Sequence, residues 1–438
     1  MNMSHTLLYN LSNINEFIEL INNEKMKDSE PSCCDESCSD VTNNLNKSKV
    51  LKLNRIISRS PNSNGQLYKV ITYDKTFLYV DTIPTYGLFR SVILNSDNKV
   101  ICFAPPKSLP PDSFILANPE KSEDLVAEEF VEGTMINVFW NQNIGVAGDW
   151  EISTRNTVGA SSSFYKSDNS KTFRSMFLEA MNENNLMFES LNPCYCYSFV
   201  LQHPENRIVV PFKKPQLYLV GLYCIDNVFQ NNIYVYSVDI NSVKKMDWGP
   251  CTIKFPEVYE WSNYKDLIDK YASMNTSYDI LGVVIHNKKT GERTKIRNPV
   301  YEQVRNLKGN QPKLQYQYLC LRKEGKVSDF IKYYPEHKNE LSSFRDQLHL
   351  FTNTIFTNYI SCYIKKEKPL LEFCEQYRTH MYNIHQLYLN ELREKKLFVT
   401  NRIVIEYVNK LHPSLLMYSL NFQMRKKKND FYNADTTL

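Results

Sequence analysis

The stretch 199-FVLQHPENRIVV-210 places an apolar run ahead of a His-Pro-Glu-Asn turn, followed by a basic residue and three β-branched ones. Pro204 fixes its own φ and holds the residue before it in extended backbone, and Asn206 suits the turn that follows. Two strands joined by a Pro-containing turn are predicted, 197-YSFVLQ-202 and 207-RIVVPF-212.

The same signature recurs on both sides. On the N-terminal side lie 68-YKVITY-73, 77-FLYVDTI-83, 88-LFRSVIL-94, 99-KVICFA-104, 135-MINVFW-140, 144-IGVAG-148 and 150-WEISTR-155; on the C-terminal side lie 216-QLYLVGLYCI-225, 233-IYVYSV-238 and 280-ILGVVIH-286. Turn residues such as Asp74-Lys75 and Ser96-Asp97-Asn98 separate the earlier runs, as in an antiparallel meander. One helix interrupts them, with Phe173, Met176, Phe177, Ala180 and Met181 on a single face. After about residue 298 the period lengthens to three and four. Phe344, Leu348, Phe351, Ile355, Tyr359 and Cys362 trace one helical stripe there, which reads as core packing. The expected organisation is an N-terminal helix over 1–24, a polar linker over 25–64, a mainly antiparallel α+β domain over 65–308 and a helical domain over 309–438.

Composition narrows the function classes. The apolar share is 42% and the aromatic share 13%, so the chain can bury a sizeable core. A net charge of +4 permits nucleic-acid contact without implying it, so any basic surface must be local. Eleven Cys in no repeating framework fit reduced thiols. Cys33, Cys34 and Cys38 lie in a Ser/Asp/Asn-rich segment without a nearby His or fourth Cys, so a disordered insert is the plain alternative to a metal site. No stretch approaches a membrane span, and no basic-then-apolar leader opens the chain; a soluble, cytoplasmic protein is expected. Heavy use of Asn, Lys, Ile and Tyr is the coding bias of an AT-rich, viral-like genome. No Gly-rich phosphate loop, H-E-x-x-H or paired C-x-x-C is present, which disfavours P-loop, dinucleotide-binding and zinc chemistry. His203 and His412 each precede Pro, where structural roles are the default.

An ordered series of segments between 88 and 301, about half the chain, resembles the phage-type RNA ligases and their relatives among DNA ligases and capping enzymes. It comprises 90-RSVIL-94, 104-APPKS-108, 128-EEFVEGTMINVFW-140, 199-FVLQHPENRIVV-210, 280-ILGVVIHN-287 and 294-TKIRNPVY-301. The resemblance implies a mainly antiparallel-sheet nucleotidyltransferase domain of the ATP-grasp-like, ligase-adenylation kind. It further implies that Arg90, Lys107, Glu132, Gly133, Arg207, Lys295 and Arg297 surround a nucleotide or RNA, with ATP and Mg²⁺ as family cofactors.

The same resemblance exposes three departures. Phe130 stands where the family has its nucleophilic lysine, and Val200 and Leu281 stand where it has carboxylates. A phenyl ring has no lone pair with which to attack phosphorus, and Val and Leu cannot hold a cation. The implied function is a catalytically degenerate RNA-ligase-like protein, a pseudoenzyme that keeps a basic cleft for a nucleotide or RNA end, within RNA processing. Two alternatives stay open: an active nucleotidyltransferase with a relocated nucleophile, for which Lys121 is the nearest upstream candidate, and a structural or interaction protein reusing the fold. For Arg90, Arg207, Lys295 and Arg297 taken singly, ordinary ion pairs or a solvated strand edge are the plain alternatives.

Overall fold

The computed structural model describes residues 5–29, 50–163, 170–229, 232–311 and 313–425. The chain forms two compact units, Met1–Gln303 and Val304–Leu438.

The first unit is α+β and built on antiparallel sheets. A six-stranded sheet runs in the order His5–Asn10, Asn232–Val238, Gln216–Phe229, Tyr195–Gln202, Thr134–Asn141, Asp149–Ser153. A four-stranded sheet runs Val258–Tyr259, Leu125–Glu129, Gly282–Asn287, Arg293–Arg297, and a second four-stranded sheet runs Leu51–Ile57, Leu67–Tyr73, Val92–Leu94, Val100–Phe103. The interrupting helix is Phe173–Glu183, opened by Thr172, whose hydroxyl accepts the Ser175 N–H at 3.1 Å. It buries Met176, Phe177, Ala180 and Met181 in a cluster that includes Ile136, Phe199, Leu201, Leu217 and Leu219 of the large sheet. Burial of that apolar face is its main stabilisation, at roughly 1.5–3 kcal/mol for a large side chain.

Several expectations from the sequence are corrected. The first predicted helix begins as a strand, His5–Asn10, and only Asn15–Ser29 is helical. That strand completes the edge of the six-stranded sheet beside Asn232–Val238, so partner strands more than two hundred residues away override the local helical spacing. The run at 77–83 forms a 3-10 turn at Val80–Thr82 and a short helix, Ile83–Tyr86. Pro84, at the start of that helix, removes an N–H that a strand ladder would need. Only Val92–Leu94 of 88–94 is strand, and both 144–148 and 207–212 are loop. The Leu51–Ile57 strand falls inside the expected linker. Cys33, Cys34 and Cys38 lie outside the described residues.

The second unit is helical. Its longest helix, Lys338–Tyr359, buries Leu348, Phe351, Ile355 and Tyr359 of the predicted stripe. His380 of Glu375–Leu387 is held between the Tyr407 hydroxyl at 3.0 Å and the Ser419 hydroxyl at 2.9 Å. No described helix is long and apolar enough to cross a membrane.

Candidate functional site

Strand register assembles the site. In the sheet containing Leu125–Glu129, Glu128 pairs with Val284 and Val284 with Lys295; one row away, Val126 pairs with His286 and His286 with Arg293. Because side chains alternate across a sheet, Val126, Glu128, Val284, His286, Arg293, Lys295 and Arg297 share one face. The opposite face carries Leu125, Ala127, Val283, Ile285 and Ile296, packed with Phe114, Trp261 and Leu267.

Phe130 follows Glu129 on the polar face, and its N–H donates to the Gly282 carbonyl at 3.3 Å. Its ring lies under two cations: Lys295 Nζ is 4.5 Å and the Arg297 guanidinium carbon 5.9 Å from the ring centroid. Arg297 also pairs with Glu302 at 3.1 Å.

Lys295 is the electrostatic centre. Burial first, then Arg293, Arg90, Arg297 and Lys107, push its ammonium down to about 6. The ring of Phe130 pulls the other way, since its face attracts a cation by about 0.5–2 kcal/mol. At about 1.4 kcal/mol per pK step this offsets only a small part of a fall from 10.5 to about 6. Arg90 is pushed down to about 10 by burial, with Arg293 and Arg155 adding repulsion. Lys107 is lowered by burial and then by Arg90, Lys75, Arg155 and Arg293. Arg90, Lys107, Lys295 and Arg297 thus share one cationic neighbourhood.

Two further members, Arg155 and Arg293, escaped the sequence reading. Arg155 ends the segment 150-WEISTR-155; its Nε donates to the Arg90 carbonyl at 3.4 Å and its guanidinium covers Tyr73 at 5.0 Å. Arg293 is buried and donates to the Pro105 and Pro106 carbonyls, which ties the Pro-Pro-Lys107 turn to the Arg293–Arg297 strand. The one-dimensional signal for it was the alternation of basic residues at Lys295 and Arg297 continued back by one pair, as Arg293-x-Lys295-x-Arg297.

Beyond Lys295 the same face borders a cavity of about 120 Å³, lined by Tyr9, Pro106, Glu128, Gly221, Tyr223, His286 and Arg293. Burial pushes the Glu128 carboxyl up to about 7, and burial together with Arg293 and Lys295 pushes the His286 imidazole down to about 3. The two lie 3.4 Å apart, His286 Nε2 to Glu128 Oε2. Both shifts favour the uncharged forms of the pair.

Glu132, Gly133 and Arg207 are placed in a different arrangement. The buried Glu132 carboxylate accepts the Val209 N–H at 2.8 Å and the Val210 N–H at 3.1 Å, Gln202 Nε2 donates to the Glu132 carbonyl at 3.0 Å, and Asn206 Nδ2 donates to the Thr134 hydroxyl at 2.8 Å. Arg207 Nε donates to the Val209 carbonyl at 2.9 Å. Gly133 has φ +148°, and a Cβ there would stand 2.4 Å from the Leu201 carbonyl oxygen and 2.6 Å from Val200 Cγ1. Gly282 is constrained likewise, with φ +134° and a Cβ position against the Ile296 carbonyl. Val200 and Leu281 are buried apolar residues, so neither offers a metal a ligand. Among the described residues, no group of three or more His, Cys, Asp or Glu side chains is placed to hold a metal ion. Lys121 reaches the Trp261 carbonyl at 2.5 Å and sits over that indole ring, on the side of the sheet that packs against Phe114 and Leu267.

No family model matches the chain. It is 23% identical over 290 residues to an RNA ligase of Rhodothermus phage RM378, covering 59% of this chain and 64% of that protein. It is 22% identical over 324 residues to an immediate-early protein ICP-46 homolog of Invertebrate iridescent virus 6, covering 68% and 67%. Among solved structures, an archaeal ATP-dependent RNA ligase aligns with a TM-score of 0.37 at 11% identity, over 67% of this chain and 72% of that one. A Naegleria gruberi RNA ligase variant with ATP and Mn aligns with a TM-score of 0.33 at 13% identity, over 46% and 57%. The chain thus spans somewhat under two thirds of the phage relative's length.

Proposed function

We propose that this chain, which is RNA-ligase-like and carries the nucleotidyltransferase fold, binds a nucleotide or a phosphorylated RNA end in its cationic cleft and lacks the family's covalent chemistry at position 130. The observation that supports this reading is the clustering of Arg90, Lys107, Arg293 and Arg297 about Lys295, with Arg155 beside Arg90, and of Lys295 and Arg297 over the Phe130 ring. Gathering that much like charge is unfavourable unless an anion relieves it, and a phosphate is the anion that arginine and lysine together hold best. Phe130, Val200 and Leu281 supply neither nucleophile nor metal ligand. Mg²⁺ would therefore arrive bound to the nucleotide, because the carboxylate positions do not fit it.

Equilibrium binding of ATP and of a 5′-phosphorylated oligoribonucleotide, titrated with salt, tests the reading. Affinity should fall steeply with salt, by counterion release at each phosphate contact, and Arg90→Gln should flatten that slope. Binding indifferent to both salt and Arg90 would refute a phosphate-holding cleft.

A further inference from the structure

We propose that a second cavity, walled by the Val100–Phe103 strand on one side and the six-stranded sheet on the other, binds a planar heterocyclic amide, a nucleobase-type lactam, through Asn95 and Asn227. The inference goes beyond the cationic cleft and does not depend on it.

This cavity, of about 310 Å³, is lined by Asn95, Lys99, Trp140, Cys194, Tyr195 and Asn227 among others, and shares no residue with the one bordered by Tyr9, Glu128 and His286. Two polar atoms of these residues are stranded: among the described residues, Asn95 Nδ2 and Asn227 Oδ1 are buried without a hydrogen-bond partner. The other end of each amide fixes which atom is left over. Asn95 Oδ1 accepts the Asp97 N–H at 3.1 Å and the Lys99 N–H at 3.0 Å, so turning the amide over would set its amino group against two donors. Asn227 Nδ2 donates to the Val100 carbonyl at 2.9 Å, so turning that amide over would set two oxygens against each other. The wall thus holds one fixed donor and one fixed acceptor, and each is costly to leave unmade.

The rest of the wall indicates what kind of ligand answers them. Asn95 is wholly buried, and its turn is tied down by Asn143, whose Nδ2 reaches Ser96 Oγ at 2.9 Å and Asp97 Oδ2 at 2.7 Å, so the donor is placed in advance. The half-buried Trp140 and Tyr195 supply aromatic surface and Val100, Ile101 and Ile225 apolar surface, which suits a flat ring. Among the described residues no Asp or Glu lines the cavity, and Lys99 stands exposed at it, so nothing there attracts a positive charge. A lactam meets these conditions together: its carbonyl accepts from Asn95 Nδ2, its N–H donates to Asn227 Oδ1, and its ring is neutral and planar. The exposed Lys99, Gln142 and Cys194 mark the side from which it enters.

Cys194 carries the readout, because its exposed thiol lines this cavity while the exposed Cys374 belongs to the other unit. The full-length protein is alkylated with iodoacetamide in the presence of uridine or guanosine, which bring no phosphate to the cationic cleft, and each cysteine peptide is quantified by mass spectrometry. Either nucleoside at millimolar concentration should slow alkylation of Cys194 by at least about threefold and leave Cys374 unchanged. The same nucleosides methylated at the lactam nitrogen lack the N–H and should protect at least about tenfold more weakly, a comparison made on wild type and so independent of any variant's folding. Asn95→Asp keeps an oxygen for the Asp97 and Lys99 N–H groups but puts an acceptor where Nδ2 donated, and should abolish protection in a protein that a melting curve shows to be folded. A short oligouridylate run in parallel distinguishes a base carried on a strand from a free nucleoside, and protection by either supports lactam recognition. Lack of protection by nucleosides and strand alike, equal protection by the methylated compounds, or protection that persists in folded Asn95→Asp overturns the site and leaves both amides to water.

Discussion

Two arrangements start within three residues of each other and obey opposite rules. At Glu132–Thr134 every polar group is answered: the buried carboxylate takes two backbone N–H groups of the 207–210 loop, and Thr134 takes Asn206. At Phe130 cations outnumber their acidic partners, Arg297 pairing with Glu302, and Lys295 is displaced toward neutrality by burial and then by its cationic neighbours. The difference teaches that neighbouring positions of one matched motif can answer to different demands. Glu132, Gly133, Thr134 and Asn206 hold the loops of the fold together. Phe130, Val200 and Leu281 offer neither a nucleophile nor a metal ligand, and Val200 and Leu281 are buried apolar residues. The cationic end has only part of such an account, in the ties of Arg293 to the Pro105 and Pro106 carbonyls and of Arg297 to Glu302, and its remaining like charge destabilises the empty protein.

The largest expected effect breaks the first arrangement. Gly133→Ala puts a methyl group against the Leu201 carbonyl at a φ of +148°, which L-residues rarely adopt. We expect a loss of about 3 kcal/mol or more in urea unfolding, or failure to fold, from combined strain and clash. A variant of wild-type stability would show that the loop relaxes readily and that the interlock does not fix it.

Lys295→Met tests the second arrangement, and its sign is opposite. Well below pH 6 the amine is protonated in both states, so the folded protein carries the full cost of the buried charge. Above that pH the folded state sheds the proton while the unfolded chain keeps it up to about 10.5, and the cost declines as pH rises. Removing the amine should therefore stabilise the protein by about 2 kcal/mol near pH 6, discounted for the side chain's partial contact with water, and by progressively less toward pH 10. Thermal melts of both proteins across that range measure the gap. A constant gap would mean that Lys295 has no depressed titration.

Anions should compensate the same strain. Phosphate or pyrophosphate should raise the melting temperature of wild type, and the double variant Arg90→Gln, Lys107→Gln should lose most of that rise, corresponding to roughly 1–2 kcal/mol of ligand stabilisation. An equal rise in both proteins would place anion binding elsewhere.

How much of this was legible in the sequence follows from the range of the contacts involved. The helix with Phe177 and the strand beginning at Thr134 were readable because period and caps are local. The cation cluster was reached only through motif order, which named Arg90, Lys107, Lys295 and Arg297. Arg155, Arg293, Glu128 and His286 were missed, because the register of Leu125–Glu129 against Gly282–Asn287 joins residues more than a hundred and fifty positions apart, and nothing in either segment alone announces it. Glu132 and Arg207 were read as ligand-facing; the Glu132 carboxylate accepts the Val209 N–H, and Arg207 Nε donates to the Val209 carbonyl. The strand expected at 207–212 failed for the same reason: its N–H groups at Val209 and Val210 go to a carboxylate instead of a ladder.

The smallest expected effect separates the two arrangements most cleanly. Thr134→Val removes the hydroxyl that accepts Asn206 Nδ2 while preserving side-chain shape and β-branching in a strand that favours it. Asn206 stays only partly buried, so water can replace the lost acceptor, and the cost should be about 1 kcal/mol in unfolding experiments. Nucleotide affinity and its salt slope should not change, because the cations that set them lie around Phe130 and have no hydrogen bond to Thr134. The variant is thus expected to move stability alone, whereas the double variant at Arg90 and Lys107 moves anion binding. If Thr134→Val instead weakened nucleotide binding by about tenfold, or about 1.4 kcal/mol, with stability unchanged, the interlock would belong to the ligand site and the division between architecture and binding would fail.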